Sequence, residues 1–300
     1  MNHFSKRRVV ARLSCLAILF SLLPAGLLAD GGGKTGMAFL KLGVGARASG
    51  LGEAYSTVAD DATATYWNPA GLALLARPEF AFTHTEWVQD ISNEFVAFAF
   101  PAFGGAVGIS FYANNVGGIE QRVNPSPEPL SELEANDIAF GVSYGRQLSR
   151  NLSAGFTVKY LYEKIFVESA AGYAFDFGAT VKPLDSSLKL SIVAQNLGSM
   201  GNFAQESIRL PATIRVGAAY PVQLPGSDLE ESWVLFSVEA VKVVDSDVRG
   251  NFGAELQLRR RLAFRFGYQT GFDQRGVGGG FGVRFKNSRL DYGFTPFQSS

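Results

Sequence analysis

Residues 248–268 read VRGNFGAELQLRRRLAFRFGY, and this stretch decides the fold class. Up to Leu258 every second position is apolar or glycine, and from Leu262 the pattern resumes with Leu, Phe, Phe and Tyr at every second position. Alternation with a period of two over about ten residues is typical of β-strands that have one apolar face. The arginines between the two runs mark a short turn, so the stretch predicts a β-hairpin.

The same alternation recurs along the chain and predicts an all-β fold. The composition agrees, because 34 glycines and 25 phenylalanines suit tight turns and apolar strand faces. Glycine disfavours helix interiors by about 1 kcal/mol relative to alanine, which argues against a helical bundle. A hydrophobic content of 47% excludes an intrinsically disordered chain. Thirteen strands are predicted, near residues 80–88, 93–101, 104–114, 136–148, 151–165, 171–183, 187–197, 209–221, 231–244, 247–259, 261–271, 276–287 and 288–297.

The first residues have the order of regions found in a secretory signal peptide. Residues 1–12 carry four basic side chains and no acidic one, and residues 13–23 form an apolar run. That run is too short for a spanning helix, which needs about 20 residues. Small residues follow and end at Ala29, so we expect cleavage there. The mature chain then loses Cys15 and carries 23 basic residues (27 minus 4) against 27 acidic ones, a net charge of −4.

This charge and the missing motifs exclude several classes of function. A nucleic-acid binder needs a basic excess to neutralise phosphates, and the mature chain has none. His84 is the histidine that remains, and a catalytic triad would need a positioned serine and acid beside it. No group of His, Cys and Asp residues has metal-ligand spacing. We therefore expect no enzyme, no cofactor and no metal site, and we interpret Asp60-Asp61 as a turn or as ion-pair partners of Arg47.

Two all-β architectures fit these strands, a soluble β-sandwich and a transmembrane β-barrel. Many strands have the length of membrane-crossing strands, about 9–11 residues. Aromatic residues such as Tyr160, Tyr162 and Tyr268 lie on the apolar face near strand ends, as in the aromatic girdles of barrels. Most turns at one end are short, whereas long connections near 115–136 and 198–208 lie at the other end. This asymmetry favours a barrel in the outer membrane of a Gram-negative-type bacterium.

The segment before the first strand does not alternate and carries the most specific motifs. They are FL at 39–40, GAR at 45–47, GEAY at 52–55, ADDA at 59–62 and WNPAGL at 67–72. This series resembles the N-terminal hatch of FadL-like bacterial outer-membrane β-barrel proteins, and most closely that of the PorV/PorQ family. Weaker similarities follow in the strands, with LPATIRVG at 210–217 and LDYGFTPF at 290–297.

The resemblance implies a fold and a division of the chain. The fold is a FadL-type antiparallel transmembrane β-barrel of about 14 strands, with the N-terminal hatch folded into the lumen. Residues 1–29 are then the signal peptide, 30–78 the hatch, or plug, and 79–300 the barrel. Relatives usually continue past the Thr-Pro-Phe motif into one more strand. Because thirteen strands are visible here, a fourteenth strand is either missing from this sequence or hidden in residues assigned to another element.

The resemblance also implies which residues matter, and the strand pattern adds the lumen-facing ones. The hatch motif consists of Arg47, Asp60, Asp61, Trp67, Asn68, Pro69, Ala70 and Gly71. An apolar hatch surface for a hydrophobic ligand would consist of Phe39, Leu42, Leu51, Tyr55 and Trp67. Lumen glycines that leave room for a plug are Gly155, Gly178, Gly217, Gly253, Gly267, Gly282 and Gly293. Ten basic and five acidic side chains are also predicted on the lumen face, where they either pair with one another and the hatch, or favour ligands with an anionic head group. The five acidic residues are Glu163, Asp176, Glu239, Glu255 and Asp291.

Two functions follow from the resemblance, and the residues themselves do not separate them. In the first, the barrel passively transports small hydrophobic compounds across the outer membrane. In the second, it is an accessory barrel of type IX protein secretion, which binds exported proteins through its outer loops. The acidic connection at 115–136 is then the candidate contact. The expected partners are outer-membrane lipid, the outer-membrane assembly machinery, and either a small hydrophobic ligand or an exported protein.

Overall fold

A computed structural model describes residues 35–87, 91–121, 131–165, 168–183, 186–203, 206–224, 231–271 and 276–296. The predicted signal peptide, residues 1–29, lies outside the described residues. Within those ranges, no helix is both long enough and apolar enough to cross a membrane.

Within the described ranges, fifteen strands follow four short helical segments. The helical segments are a 3-10 helix at Ala38–Lys41, α1 at Ala46–Gly50, α2 at Ala64–Trp67 and a 3-10 helix at Pro69–Leu74. The strands are β1 Glu79–Glu86, β2 Ile91–Ala102, β3 Gly105–Gln121, β4 Ser131–Ser149, β5 Leu152–Ile165, β6 Glu168–Val181, β7 Lys189–Met200, β8 Asn202–Phe203, β9 Glu206–Ser207, β10 Thr213–Gln223, β11 Trp233–Val243, β12 Arg249–Leu258, β13 Leu262–Gln269, β14 Val277–Phe285 and β15 Ser288–Phe294.

Thirteen of these strands form one antiparallel sheet, which confirms the predicted fold class and strand number. Each strand pairs with the next in chain order, and β7 pairs with β10 because β8 and β9 form a separate small hairpin between them. At one end of the sheet, the Arg77 guanidinium before β1 donates to Asn287 Oδ1 between β14 and β15 at 3.0 Å. The sheet therefore curls until its first and last strands approach each other at that end.

The sheet has an inside-out distribution of polarity. On β13 the side chains of Phe264 and Phe266 are 51% and 57% exposed, whereas Arg265 between them is 6% exposed. On β6 the exposed Phe175 and Phe177 flank Asp176, which is fully buried. A soluble sandwich buries its aromatic face and exposes its charges. The reverse order here is that of a barrel with an apolar outer face and a polar interior.

The structure departs from the predicted elements in two places. Strands β3 and β4 continue to Gln121 and from Ser131, so most of the predicted loop at 115–136 is paired strand. Proline and acidic residues interrupt the apolar alternation there. A hairpin without an apolar face does not show the alternation by which the other strands were predicted. Its tip, 122–130, lies outside the described residues. The predicted long connection at 198–208 is partly strand as well, because β7 continues to Met200 and β8 and β9 follow within it.

Candidate functional site

The N-terminal segment, residues 36–75, packs on the inner face of the sheet, and buried ion pairs lie at this interface. Arg47 of α1 makes two 2.9 Å bonds to the Glu255 carboxylate on β12, one from Nε and one from Nη2. Its Nη1 donates to Asp60 Oδ1 at 2.9 Å, which confirms the expected pair. Glu255 is 1% exposed and also accepts from Arg265 Nε on β13. Two guanidinium groups therefore share one buried carboxylate.

The ionic chain continues to the last strand and returns to the N-terminal segment. Arg265 Nη1 lies 2.8 Å from Asp291 Oδ1 on β15, and Asp291 Oδ2 accepts from Arg289 Nε at 2.6 Å. Arg289 Nη2 in turn donates to Asp61 Oδ2 at 2.6 Å. Burial would raise the pKa of Asp61, but the positive charges of Arg289 and Arg47 outweigh burial and hold its pKa below the ordinary value. The chain ties α1 and the Asp60-Asp61 turn to β12, β13 and β15.

A second buried group joins the same segment to β7, β10 and β11. Glu239 accepts from the Ser56 backbone N–H and from Arg215 Nη1, both at 2.8 Å. The guanidinium carbon of Arg215 lies 4.9 Å from the Trp67 ring centroid, a cation–π distance. Trp67 is fully buried, and its indole N–H donates to the Val44 carbonyl at 2.8 Å. Arg215 is thus neutralised by Glu239 and covered by Trp67.

The Asn68 to Gly71 motif is a close-packed turn. Asn68 caps the following 3-10 helix, because its Oδ1 accepts from the Ala70 N–H at 3.0 Å, while Nδ2 donates to the Ser56 carbonyl at 2.8 Å. A Cβ at Gly71 would lie 2.1 Å from the Ala59 carbonyl oxygen, so only glycine fits. Pro69 is equally crowded from the sheet side, where a Cβ at Gly155 would lie 2.4 Å from its carbonyl carbon.

Most of the predicted lumen glycines face the N-terminal segment at similarly short range. A Cβ added at Gly178 would contact Asn68 Oδ1, and one added at Gly217 would contact Thr57 Oγ1. At Gly253, Gly267 and Gly293 the contacts would be with Leu51 O, Gly52 N and Ala46 O, respectively. Gly282 differs, because an added Cβ would meet Asp291 and Arg265 of the sheet itself. Glycine at these inner positions lets the backbone of the segment approach the strands.

The five predicted ligand-binding residues lie in the packed interior. Phe39, Leu51, Tyr55 and Trp67 are at most 2% exposed, and Leu42 is half-buried against the same core. A cavity of about 20 Å³ lies between Leu40, Tyr66, Tyr112 and Lys159, and a second of about 20 Å³ lies beside Arg215. Each has room for about one water molecule, whereas ligand sites usually enclose about 300 Å³ or more.

The residues that sequence reasoning missed are the specific partners in these groups. Alternation places Glu239, Glu255 and Asp291 on the lumen face, but it does not predict their pairing with Arg215, Arg47 and Arg289. Gln195, whose Oε1 accepts from Arg215 Nε at 2.8 Å, was not singled out at all. A period-two pattern identifies the face of a strand, but it does not identify which strand lies opposite a given residue of the N-terminal segment.

Comparison with known proteins agrees with this architecture. The crystal structure of the Pseudomonas putida toluene transporter TodX superposes with a TM-score of 0.56 at 12% sequence identity, covering 84% of this chain and 92% of TodX. No curated protein sequence matches the chain. Residues 32–189 match the family described as type IX secretion system protein PorV.

The fold, the inverted polarity and these matches define an outer-membrane β-barrel protein of FadL-like architecture. The family match spans 158 residues (32 to 189), just over half of the 300-residue chain. The chain belongs to the PorV family. The two matched descriptions are of a secretion-system protein and a transporter.

Proposed function

We propose that this protein is an accessory outer-membrane barrel of type IX secretion, which holds exported proteins at its outer side. Membership of the PorV family carries the proposal. The interior supports it, because the N-terminal segment fills the inner face through buried ion pairs and close backbone contacts. Such a barrel suits a binding platform better than an open channel. In this role residues 30–78 act as the plug, residues 79–300 form the barrel, and residues 1–29 are removed on export.

The hairpin of β3 and β4 is the surface that we assign to the exported protein. Strand β2 pairs with β3 as far as Val116, and β5 pairs with β4 as far as Ala135. Beyond these points the two strands pair with each other, and the register places Glu120 opposite Glu132. Residues 116–135 carry four acidic residues and one basic residue, so a basic segment of an exported protein is the expected contact.

The test is capture of exported proteins by the purified full chain. The parent is compared with a variant lacking residues 116–135 and with the double variant Glu120→Gln/Glu132→Gln. Glu231→Gln is the matched control, because this exposed carboxylate lies at the opposite end of the strands. We expect both hairpin variants to capture less and the control to capture as much as the parent. An unchanged captured set after the deletion would exclude the hairpin as the contact.

A second candidate, passage of small hydrophobic compounds, is favoured by the buried aromatic cluster around the first cavity. Tyr112 contacts the rings of Phe39, Tyr66 and Phe95, and Tyr66 also contacts Phe95, at centroid distances of 4.9–6.3 Å. An alkyl chain would bind there only if the N-terminal segment shifted, since the cavity holds about one water. Vesicles reconstituted with the protein and supplied with labelled alkane or fatty acid test this. Uptake no faster than into empty vesicles would exclude it.

A further inference from the structure

The pairing of inner carboxylates with basic side chains fails at one place on the sheet. Elsewhere each buried carboxylate at the interface has a Lys or Arg partner: Asp176 pairs with Lys159, Glu239 with Arg215, Glu255 with Arg47 and Arg265, Asp291 with Arg265 and Arg289, and Asp245 with Lys41. In the described parts of the chain, Asp137 on β4 and Glu163 on β5 have no such partner. They are direct register partners, so two carboxylates stand side by side.

These two carboxylates belong to a polar row that crosses four strands. The register pairs Asn93 with Asn114, Asn114 with Asp137, and Asp137 with Glu163. Directly opposed residues of antiparallel strands point to the same face, with Cα atoms about 4.5–5.5 Å apart. Asn93, Asn114 and Glu163 are buried, so the row points inward. The row therefore presents amide and carboxylate oxygens at adjacent positions beneath the projecting β3–β4 hairpin.

The row is rich in oxygens that lack a partner among the described residues. Asn93 is 3% exposed, yet neither its Oδ1 nor its Nδ2 has a hydrogen bond, and Asn114 Oδ1 and Glu163 Oε2 are likewise buried without one. Asn114 Nδ2 donates to Asp137 Oδ2 at 2.9 Å, which fixes that carboxylate. Unsatisfied buried polar atoms are rare in folded proteins, because each costs about 1–3 kcal/mol of desolvation. Several such atoms in one row indicate a missing partner.

The surroundings exclude a protein side chain as that partner in the described structure. Along the same strands the nearest inward neighbours are Tyr112, Ala139 and Leu161, which are all buried and carry no positive charge. On the side of the N-terminal segment, the Met37 backbone N–H donates to Glu163, and Gly36 lies close to Glu163 Oε2. None of these described neighbours supplies a positive charge to the two carboxylates.

We propose that Asp137 and Glu163, together with the amide oxygen of Asn114, bind one calcium ion. Two carboxylates balance a charge of +2, and calcium takes carboxylate and amide oxygens at about 2.3–2.6 Å in flexible geometry. Because the two residues are register partners, their carboxylates point to the same face, where one ion can contact both. Magnesium requires stricter octahedral geometry and retains its waters, so it fits this row less well. The site has two acids and is completed by amides, and among the described residues no three His, Cys, Asp or Glu side chains are grouped so as to hold a metal ion.

The ion would hold the base of the β3–β4 hairpin, because Asn114 and Asp137 lie on its two strands just below the projecting part. The site is independent of the proposed role in secretion, since calcium would bind it whether or not an exported protein is captured. Loss of calcium binding and loss of capture are therefore separate outcomes of separate measurements.

The experiment compares the purified full chain in detergent with Asp137→Asn/Glu163→Gln, in EDTA and in calcium. We expect calcium at about 100 times its Kd to raise the Tm of the parent by about 5 °C. Calorimetric titration should give one site per chain. The double variant should show neither effect and should melt no lower than the parent in EDTA, because the like-charge pair is gone. The variant should thus be at least as stable as the parent in EDTA but less stable than the parent in calcium. Carboxylates that serve only packing would not give this reversal.

Controls separate a site from a general ionic effect. Glu86→Gln removes an exposed carboxylate of β1 and should respond to calcium as the parent does. Sodium chloride at matched ionic strength should give no comparable shift. If the double variant does not fold, Glu163→Gln alone is titrated, and its calcium affinity should fall at least tenfold. An equal calcium shift in the parent and the variant, or no shift in the parent, would overturn the proposal.

Discussion

The two halves of the N-terminal segment are fixed to the sheet in different ways. Residues 46–61 are tied to β12, β13 and β15 by a chain of ion pairs that runs from Asp60 through Arg47 and Glu255 to Arg289 and Asp61. Residues 64–74 lie on β3 to β6, where the turn at Pro69 packs against glycine backbone. Both halves contact glycine backbone of the strands, but only residues 46–61 carry charged side chains. We call residues 46–61 the ionic half and residues 64–74 the packed half. Their stability should therefore respond to different perturbations.

The largest effect is expected when one partner is removed from the ionic half. Glu255→Ala leaves Arg47 and Arg265 buried without their shared carboxylate, and breaking a buried pair in this way costs about 3–5 kcal/mol. We expect that loss in the free energy of unfolding, measured by urea titration in lipid vesicles. Asp60→Asn is the matched control, because this Arg47 partner is 44% exposed and should contribute about 0–1 kcal/mol. Equal losses in the two variants would show that burial does not set the strength of these pairs.

A smaller loss is expected when the packed half is overfilled. Gly155→Val places side-chain atoms against the Pro69 carbonyl, and overpacking usually costs about 1–3 kcal/mol. The loss should persist in high salt, since no charge changes. Gly276→Ala serves as control because its nearest neighbour would be Tyr268 at 3.5 Å, an ordinary contact. If Gly155→Val is as stable as the parent, the turn is not held by close packing.

The cap of the packed half should contribute about 1 kcal/mol. Asn68→Ala removes the acceptor for the Ala70 N–H and the donor to the Ser56 carbonyl, and loss of an N-cap residue costs about 0.5–2 kcal/mol. Thermal unfolding of the parent and variant measures the difference. Asn287→Ala removes an exposed amide at the opposite edge and should be nearly neutral. A neutral Asn68→Ala would mean that the turn is set by Pro69 and glycine alone.

Sequence reasoning predicted one of these regions better than the other. The thirteen strands and their inward faces followed from alternation, because a barrel wall repeats one local rule. The glycines that receive the segment were visible for the same reason, since each occupies an inward position. The contact between Arg47 and Glu255 was not predictable, because it joins residues 208 positions apart whose meeting depends on the path of an irregular segment. The length of β3 and β4 was underestimated because strands without an apolar face lack alternation.

The smallest expected effect is the pH dependence of the stability that Asp61 contributes to the ionic half. The pKa of Asp61 is below its ordinary value in the folded protein, so ionised Asp61 stabilises the fold above about pH 4. This stabilisation is lost as the pH falls through the lowered pKa. Asp61→Asn should be less stable than the parent at pH 7 by about 1 kcal/mol or less, and the difference should shrink at pH 3.

Asn68→Ala provides the matched reference from the packed half, because no titrating group is removed. Its loss relative to the parent should be the same at pH 7 and pH 3, when both are measured by urea unfolding in the same vesicles. If the deficit of Asp61→Asn also stays constant between the two pH values, its pairing with Arg289 does not stabilise the fold through charge. The distinction between the ionic half and the packed half would then not hold at the Asp60-Asp61 turn, where the chain of ion pairs returns to the N-terminal segment.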